Sequence, residues 1–287
     1  MISKRKDFTL GLCISVLLYL CFVSTNLSSE EIKILVYNTH GLPSAFVSDD
    51  PERRFPLISE KTKGYELSLL QEDFAHHELL LKSLNEESVA VRGNGNNKSL
   101  CPFCSGSGLT IISNLEKEWQ IQIDSQAFSV CSGWFGGLND CFSSKGFQLA
   151  RIKTPSGKYF FVLNTHLDVG RKLSDRKARE IQLKEIIDKV KLKTKGEALI
   201  VAGDLNLRWD DPKDQTLLEA FKRELDLEDP IKGAQKHRGW PILDYILYRE
   251  SKNTAIQILE SGEDIAFEFE NKPLSDHPAL FVEILVN

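Results

Sequence analysis

Five short stretches of this chain carry side chains that could do chemistry together. They are Tyr37-Asn38-Thr39-His40, Gln71-Glu72, Asn164-Thr165-His166, Gly203-Asp204-Leu205-Asn206 and Ser275-Asp276-His277. Carboxylates and amides are hard oxygen donors of the kind that hold Mg²⁺. Well-separated histidines suit proton transfer. Asp204 and Asn206 are two residues apart, so an extended backbone turns both to one side. His277 stands beside Asp276, and an imidazole oriented by an acid can take a proton from water. Asp244 interrupts the apolar run Leu243–Leu247; burying it unpaired would be costly, so it needs a partner, and His277 is the candidate. Such a set suits metal-assisted cleavage of a phosphodiester.

Each piece has a plainer reading when taken alone. Glu72 is then a solvated strand end, Asn38 a turn former and His166 a structural histidine. Arg171, Lys172, Arg176 and Arg179 read as the solvated face of a helix. His40, His76, His77 and His237 stay unassigned.

The motifs fall at the ends of predicted strands. Ile32–Asn38 and Ala198–Gly203 are apolar, β-branched runs that read as buried strands, and Glu66–Gln71 is another. Ser107–Ser113 and Trp119–Asp124 are expected to pair as a hairpin. Gly146–Lys153 and Tyr159–Asn164 form a second one, turned by Pro155-Ser156-Gly157. Leu243–Tyr248, Ile256–Leu259 and Ala279–Val286 close the set. Helices are expected over Glu52–Lys63, shortened by Pro56, and over His76–Leu84, Leu173–Leu192 and Leu217–Leu225. In the longest, Ile181, Ile186, Ile187 and Val190 mark the inner face. Strands outnumber helices, which suggests two packed sheets with helices on their outer faces. No Pro/Gly/Ser-rich linker divides the chain, so residues 26–287 read as one domain.

The first 25 residues read as a secretory signal peptide: Lys4, Arg5 and Lys6, then the apolar run Phe8–Val23. That run is shorter than the roughly 20 residues that span a bilayer, which disfavours an anchor. Leu20 disfavours lipidation at Cys21. The whole chain carries a net charge of −5, so it gains no general steering toward nucleic acid. Beyond the leader remain Cys101, Cys104, Cys131 and Cys141, an even number that favours disulfides in an exported protein. Local pairing, Cys101 with Cys104 and Cys131 with Cys141, is expected. A zinc site at Cys101-Pro-Phe-Cys104 lacks a second ligand pair. Between Cys131 and Cys141, Trp134 and Phe135 are flanked by glycines and could be presented to a lipid interface; packing on the domain is the plainer alternative. Asn97 begins an Asn-x-Ser glycosylation acceptor.

Taken in order, the motifs resemble the endonuclease/exonuclease/phosphatase superfamily, over Ile32 to Val286. Within it, Asn38-Thr39-His40-Gly41-Leu42-Pro43, Gly106-Ser107-Gly108-Leu109, Phe142-Ser143-Ser144-Lys145-Gly146, Leu243-Asp244-Tyr245-Ile246-Leu247-Tyr248 and Leu274-Ser275-Asp276-His277 are similar to neutral, Mg²⁺-dependent sphingomyelinases. The resemblance implies an α/β fold, a four-layer sandwich of two packed mixed β-sheets flanked by helices. It implies Mg²⁺ held by Glu72, with Asn38 and Asp276 beside the metal or phosphate, and Mn²⁺ or Co²⁺ as substitutes. It implies His277 as general base oriented by Asp244, and Asp204 and Asn206 positioning water and phosphate. His166 would stabilise phosphate or help protonate the leaving group, and Lys145 would contact phosphate or organise the site. The implied enzyme is a secreted, monomeric sphingomyelinase acting at a phospholipid membrane surface. Alternatives are a secreted deoxyribonuclease-like endonuclease and a non-catalytic binding or toxin component on the same scaffold.

Overall fold

Along Glu30–Asn38 (β1), alternate side chains enter two different cores: Ile32, Ile34 and Val36 one, Leu35 and Tyr37 another. That alternation builds the layers. The computed structural model describes residues 30–42, 50–94, 106–133, 140–230 and 242–287. The leader, Asn97, Cys101, Cys104, Trp134, Phe135 and His237 lie outside them.

The elements after β1 are Pro51–Thr62 (α1), Leu67–Gln71 (β2), His77–Leu81 (α2), Val89–Arg92 (β3), Thr110–Ser113 (β4), Gln120–Ala127 (β5), Gly146–Lys153 (β6), Tyr159–His166 (β7), Leu173–Thr194 (α3), Ala198–Asp204 (β8), Pro212–Leu225 (α4), Asp244–Arg249 (β9), Ile256–Glu263 (β10), Glu268–Phe269 (β11), Lys272–Pro273 (β12) and Leu280–Val286 (β13). One sheet has the order β10-β13-β1-β2-β4-β3, the other β5-β6-β7-β8-β9, and β11-β12 is a small hairpin. Both large sheets are mixed. Each has one parallel pair, β1 with β2 and β7 with β8, and antiparallel neighbours elsewhere.

The facing sides of the sheets share one apolar core, including Ile34, Val36, Leu69, Val162, Ile200 and Val282. Leu163, Leu199 and Val201 point outward to Leu183, Ile186 and Val190 of α3 and Phe221 of α4. Leu35, Tyr37 and Phe281 point outward to Phe55 and Ile58 of α1 and Leu80 of α2. The result is the expected four-layer sandwich. Each fully buried Leu, Ile or Phe contributes about 1.5–3 kcal/mol.

Local chemistry sets the ends of the helices. Asp211 caps α4 by accepting from the Lys213 and Asp214 amides, with Pro212 in the first turn. Asp175 accepts from the Lys172 amide to start α3, and Lys195 with Gly196, both at positive φ, stop it.

The sequence reading needs four corrections. β4 and β5 do not form a hairpin: β4 lies fully buried between β2 and β3, while β5 is the edge of the other sheet. Six residues between two strands allow a crossing between sheets as readily as a turn. β3 and the β11–β12 hairpin were not anticipated. α1 runs through Pro56 without stopping. Arg179 is fully buried rather than solvated. It donates to the carbonyls of Asp168 and Gly170 and lies 3.5 Å from Asp214.

β1, β2, β7 and β8 end at one rim. β9 begins there, and the segment leading into β13 crosses it. Open α/β sheets bind ligands at the carboxyl ends of their parallel strands.

Candidate active site

Asn38, the last residue of β1, joins three strand ends. Its Nδ2 donates to Glu72 Oε1 and to Asp204 Oδ2, each at 3.1 Å, and its Oδ1 accepts from the His40 amide at 3.0 Å. Glu72 follows β2 in the left-handed region, with φ 59°. Its carbonyl accepts from the Gly41 amide at 2.7 Å, and the next amide, of Asp73, donates to Gly108 at 3.1 Å. Such a backbone costs about 1–3 kcal/mol and persists only where its surroundings enforce it. Asp204 ends β8 after Gly203. A Cβ on Gly203, where φ is 135°, would stand 2.0 Å from the Thr165 carbonyl oxygen, so only glycine permits this approach of β7 and β8. Asp204 Oδ1 accepts from the Asn206 amide at 2.9 Å, and Asn206 Nδ2 donates to the Leu167 carbonyl at 3.0 Å.

The expected partnership of Asp244 and His277 forms, with His277 Nδ1 at 2.8 Å from Asp244 Oδ2. His277 Nε2 points toward Asp204 Oδ2 at 3.9 Å. Ser275 holds the segment in place: its hydroxyl donates to the Asn38 carbonyl at 2.7 Å and accepts from the His277 amide at 3.2 Å. His166 is buried, with Nε2 at 3.0 Å from Lys145 Nζ, 3.5 Å from Asp204 Oδ2 and 3.7 Å from Glu72 Oε1. Lys145 donates to the Leu167 carbonyl and pairs with Asp140 at 2.7 Å. Asn38, Glu72, His166, Asp204, Asn206, Asp244, His277 and Lys145 therefore converge. Asp276 stays at the rim with its side chain 40% exposed, 3.6 Å from His40 Nδ1, apart from the other carboxylates.

Charge is unbalanced here. Burial, then the neighbouring Asp244 carboxylate, pushes Asp204 up to about 7. Burial opposes a charge on His277, but Asp244, Asp204 and Asp276 outweigh it and hold the imidazole well above its ordinary value. Burial and the ammonium of Lys145 hold His166 well below, so His166 is neutral. Burial likewise disfavours charge on Lys145, yet Asp140, Asp168 and Glu72 overcome it and keep the ammonium charged.

Among the described residues, two trios each bring their potential ligand atoms within 4.8 Å of one another: Glu72, His166 and Asp204, and Asp204, Asp244 and His277. Asp244 and His277 are engaged with each other, and His166 accepts from Lys145. The carboxylates of Glu72 and Asp204 remain, braced by Asn38. Hard oxygens with an unmet demand for positive charge fit a divalent cation such as Mg²⁺. As placed, Asn38 is their brace, with its own oxygen occupied by His40.

The comparisons with known proteins point one way. A sequence model described as Endonuclease/Exonuclease/phosphatase family 2 matches residues 108–240. That match and the shared fold support a likeness to the endonuclease/exonuclease/phosphatase superfamily. The chain is similar to a protein named sphingomyelinase from Mycobacterium tuberculosis, 26% identical over 278 residues covering 88% of this chain and 52% of the relative. The chain thus spans about half the length of the curated relatives it matches. Among solved structures, a mutant beta toxin from Staphylococcus aureus with bound magnesium ions aligns with a TM-score of 0.64 at 20% identity, over 88% of this chain and 99% of that one. The human Nocturnin catalytic domain aligns equally well, TM-score 0.64 at 17% identity, over 91% and 98%. The fold is shared widely, so it does not select a substrate.

Further buried residues complete the surroundings. Gln71 Nε2 donates to Asn164 Oδ1 at 2.7 Å, and Asn164 Nδ2 donates to the Leu70 carbonyl and Gln148 Oε1, a buried amide network tying the two sheets together beneath the site. The Cys131–Cys141 disulfide forms. Each end of its loop docks beside Lys145. The Ser132 amide donates to Asp168, and Asp140 accepts from the Val169 amide while pairing with Lys145. Asp140 and Asp168 had no sequence signal beyond being acids near a motif.

Proposed function

We propose that this protein is an exported, Mg²⁺-dependent phosphodiesterase of the sphingomyelinase type, hydrolysing sphingomyelin to ceramide and phosphocholine. One observation carries the reading: the Asp244–His277 pair turns the His277 Nε2 toward Asp204, which shares Asn38 with Glu72. A base and a cation-demanding carboxylate pair thus face one space. The name of the Mycobacterium tuberculosis relative supports the lipid substrate.

His277 Nε2 takes a proton from the attacking water, and Asp244 stabilises the imidazolium that forms; the bond from phosphorus to the ceramide oxygen breaks, and that oxygen takes a proton from solvent water. Asn206 and Asp204 orient that water and the phosphate. His166 is neutral and accepts from Lys145, so it fixes the ammonium beside the phosphate rather than releasing a proton itself. Glu72 and Asp204 would hold Mg²⁺, which when bound polarises the phosphate and offsets developing charge. Asp276, at the rim, lies near the approaching head group. Trp134 and Phe135, inside the disulfide loop, contact the membrane surface. The enzyme acts as a monomer after removal of residues 1–25; among the described residues no helix is long and apolar enough to cross a membrane.

The test is phosphocholine release from sphingomyelin vesicles with Mg²⁺ and with chelator, beside a plasmid-nicking control. Mg²⁺-dependent release without nicking supports the reading. Nicking without release moves the substrate to nucleic acid, which the net charge of −5 disfavours.

A further inference from the structure

The two halves of the proposed site hang on different loops. One follows β1 and carries Asn38 and His40; the other precedes β13 and carries Asp276 and His277. Between them lies a side chain that the chemistry above does not use. Arg54, in the first turn of α1, is 7% exposed. Its Nη1 donates to the Thr39 carbonyl at 2.9 Å and to the Leu274 carbonyl at 2.5 Å, and its Nη2 donates to the His40 carbonyl at 2.9 Å. Thr39 follows Asn38, and Leu274 precedes Ser275. One buried guanidinium therefore grips both loops next to their working residues. Its helix is anchored independently, because Phe55 and Ile58 sit in the outer core against β1 and Phe281.

We propose that Arg54 is a positioning residue that sets the distance between Asn38, the brace of the metal-holding carboxylates, and the general base His277. This rests on the function proposed above. Three carbonyls in two directions need a planar fork. An ammonium on a flexible stem has the charge but not the geometry. The Ser275 hydroxyl, bridging the Asn38 carbonyl and the His277 amide, is a second strap on the same two loops. A shift of about 1 Å between base and phosphate is enough to cost about 100-fold in rate.

The experiment compares the parent with Arg54→Lys, which keeps a buried cation where Arg54→Ala risks failing to fold. Hydrogen exchange is read by mass spectrometry and phosphocholine release is followed at saturating Mg²⁺. In Arg54→Lys, exchange should quicken in residues 38–42 and 274–278 together and stay at the parent rate in β7 and β8. kcat should fall about 10- to 100-fold, with KM near the parent's. Unchanged exchange in both loops overturns the clamp, as does parental kcat. Uniformly faster exchange across both sheets also overturns it, assigning Arg54 to general stability. If the parent itself releases no phosphocholine, the functional reading fails, and the exchange data alone still judge the clamp.

Discussion

Two acid–histidine pairs in this molecule have nearly the same geometry and opposite characters. His277 Nδ1 lies 2.8 Å from Asp244, and His77 Nδ1 lies 2.5 Å from Asp73. Both acids are buried. Asp73, however, also accepts from the Thr110 hydroxyl at 2.6 Å and stands 3.6 Å from Arg92. Burial works against its charge, but His77, Arg92 and Thr110 hold the carboxyl below its usual range. The Asp73 pair is thus internally balanced. His277 instead has Asp204 and Asp276 near it as well as Asp244, and its pKa is raised well above the ordinary value. The pair alone does not make a base. Surplus negative charge around it, and a ring nitrogen facing the shared space, do.

The sharpest way to break this contrast is to delete each imidazole. His277→Ala should lower turnover by about 10²–10⁴-fold, the usual worth of a positioned base, and leave the fold intact. His77→Gln should leave turnover near the parent's and lower the thermal midpoint. Steady-state kinetics and melting curves check both; equal activity losses would erase the distinction. Asp244→Asn comes next, with a loss on the order of 100-fold. Its pH profile is the more telling readout. The base works neutral, so activity falls as pH drops through the pKa of His277. Asp244 is the leading group that raises that pKa, so removing its charge should move the acid limb to lower pH. A limb that stays in place would detach Asp244 from the titration.

The balanced pair was invisible in the sequence, and the reactive one was legible, for the same physical reason. Asp244 interrupts an apolar strand, and a buried charge demands a partner, so His277 could be named before any geometry was known. Asp73, His76 and His77 sit in a polar stretch where neither burial nor partner is signalled. The strands leading to Asn38, Glu72, His166 and Asp204 were readable because their apolar runs end at or just before those residues. The β4–β5 hairpin failed because nearness in sequence says little about which sheet a strand joins. Arg179 failed because Asp175, Arg179 and Gln182 put polar groups on the inner face of α3, diluting its apolar pattern. Asp140 and Arg54 carry no local pattern at all; only the fold brings them to the site.

A smaller effect sharpens the comparison on the metal side. Asn38→Ala would leave Glu72 and Asp204 in place but unbraced. Losing such an orienting partner typically weakens metal affinity by about 10- to 100-fold. Calorimetric titration of Mg²⁺ into the two proteins measures this without turnover. Affinity equal to the parent's would mean that the carboxylates hold their positions without Asn38.

The smallest effect should come from the balanced pair, and it should be one of stability. Asp73→Asn keeps the shape of the side chain and removes the charge that His77, Thr110 and Arg92 satisfy. A loss of about 1–3 kcal/mol at neutral pH is expected for a buried charged hydrogen-bonding group. Its sign with pH follows from the depressed pKa. Above the unfolded value, near 3.8, the folded carboxylate contributes in full; as pH falls through the lower folded value, both states become protonated and the contribution vanishes. The gap between parent and Asp73→Asn should therefore be widest near neutrality and close below about pH 4. Denaturant titrations at a series of pH values would show it. A gap of constant size would mean that Asp73 stabilises through shape rather than charge, and that the two pairs differ less in electrostatics than in what their histidines face.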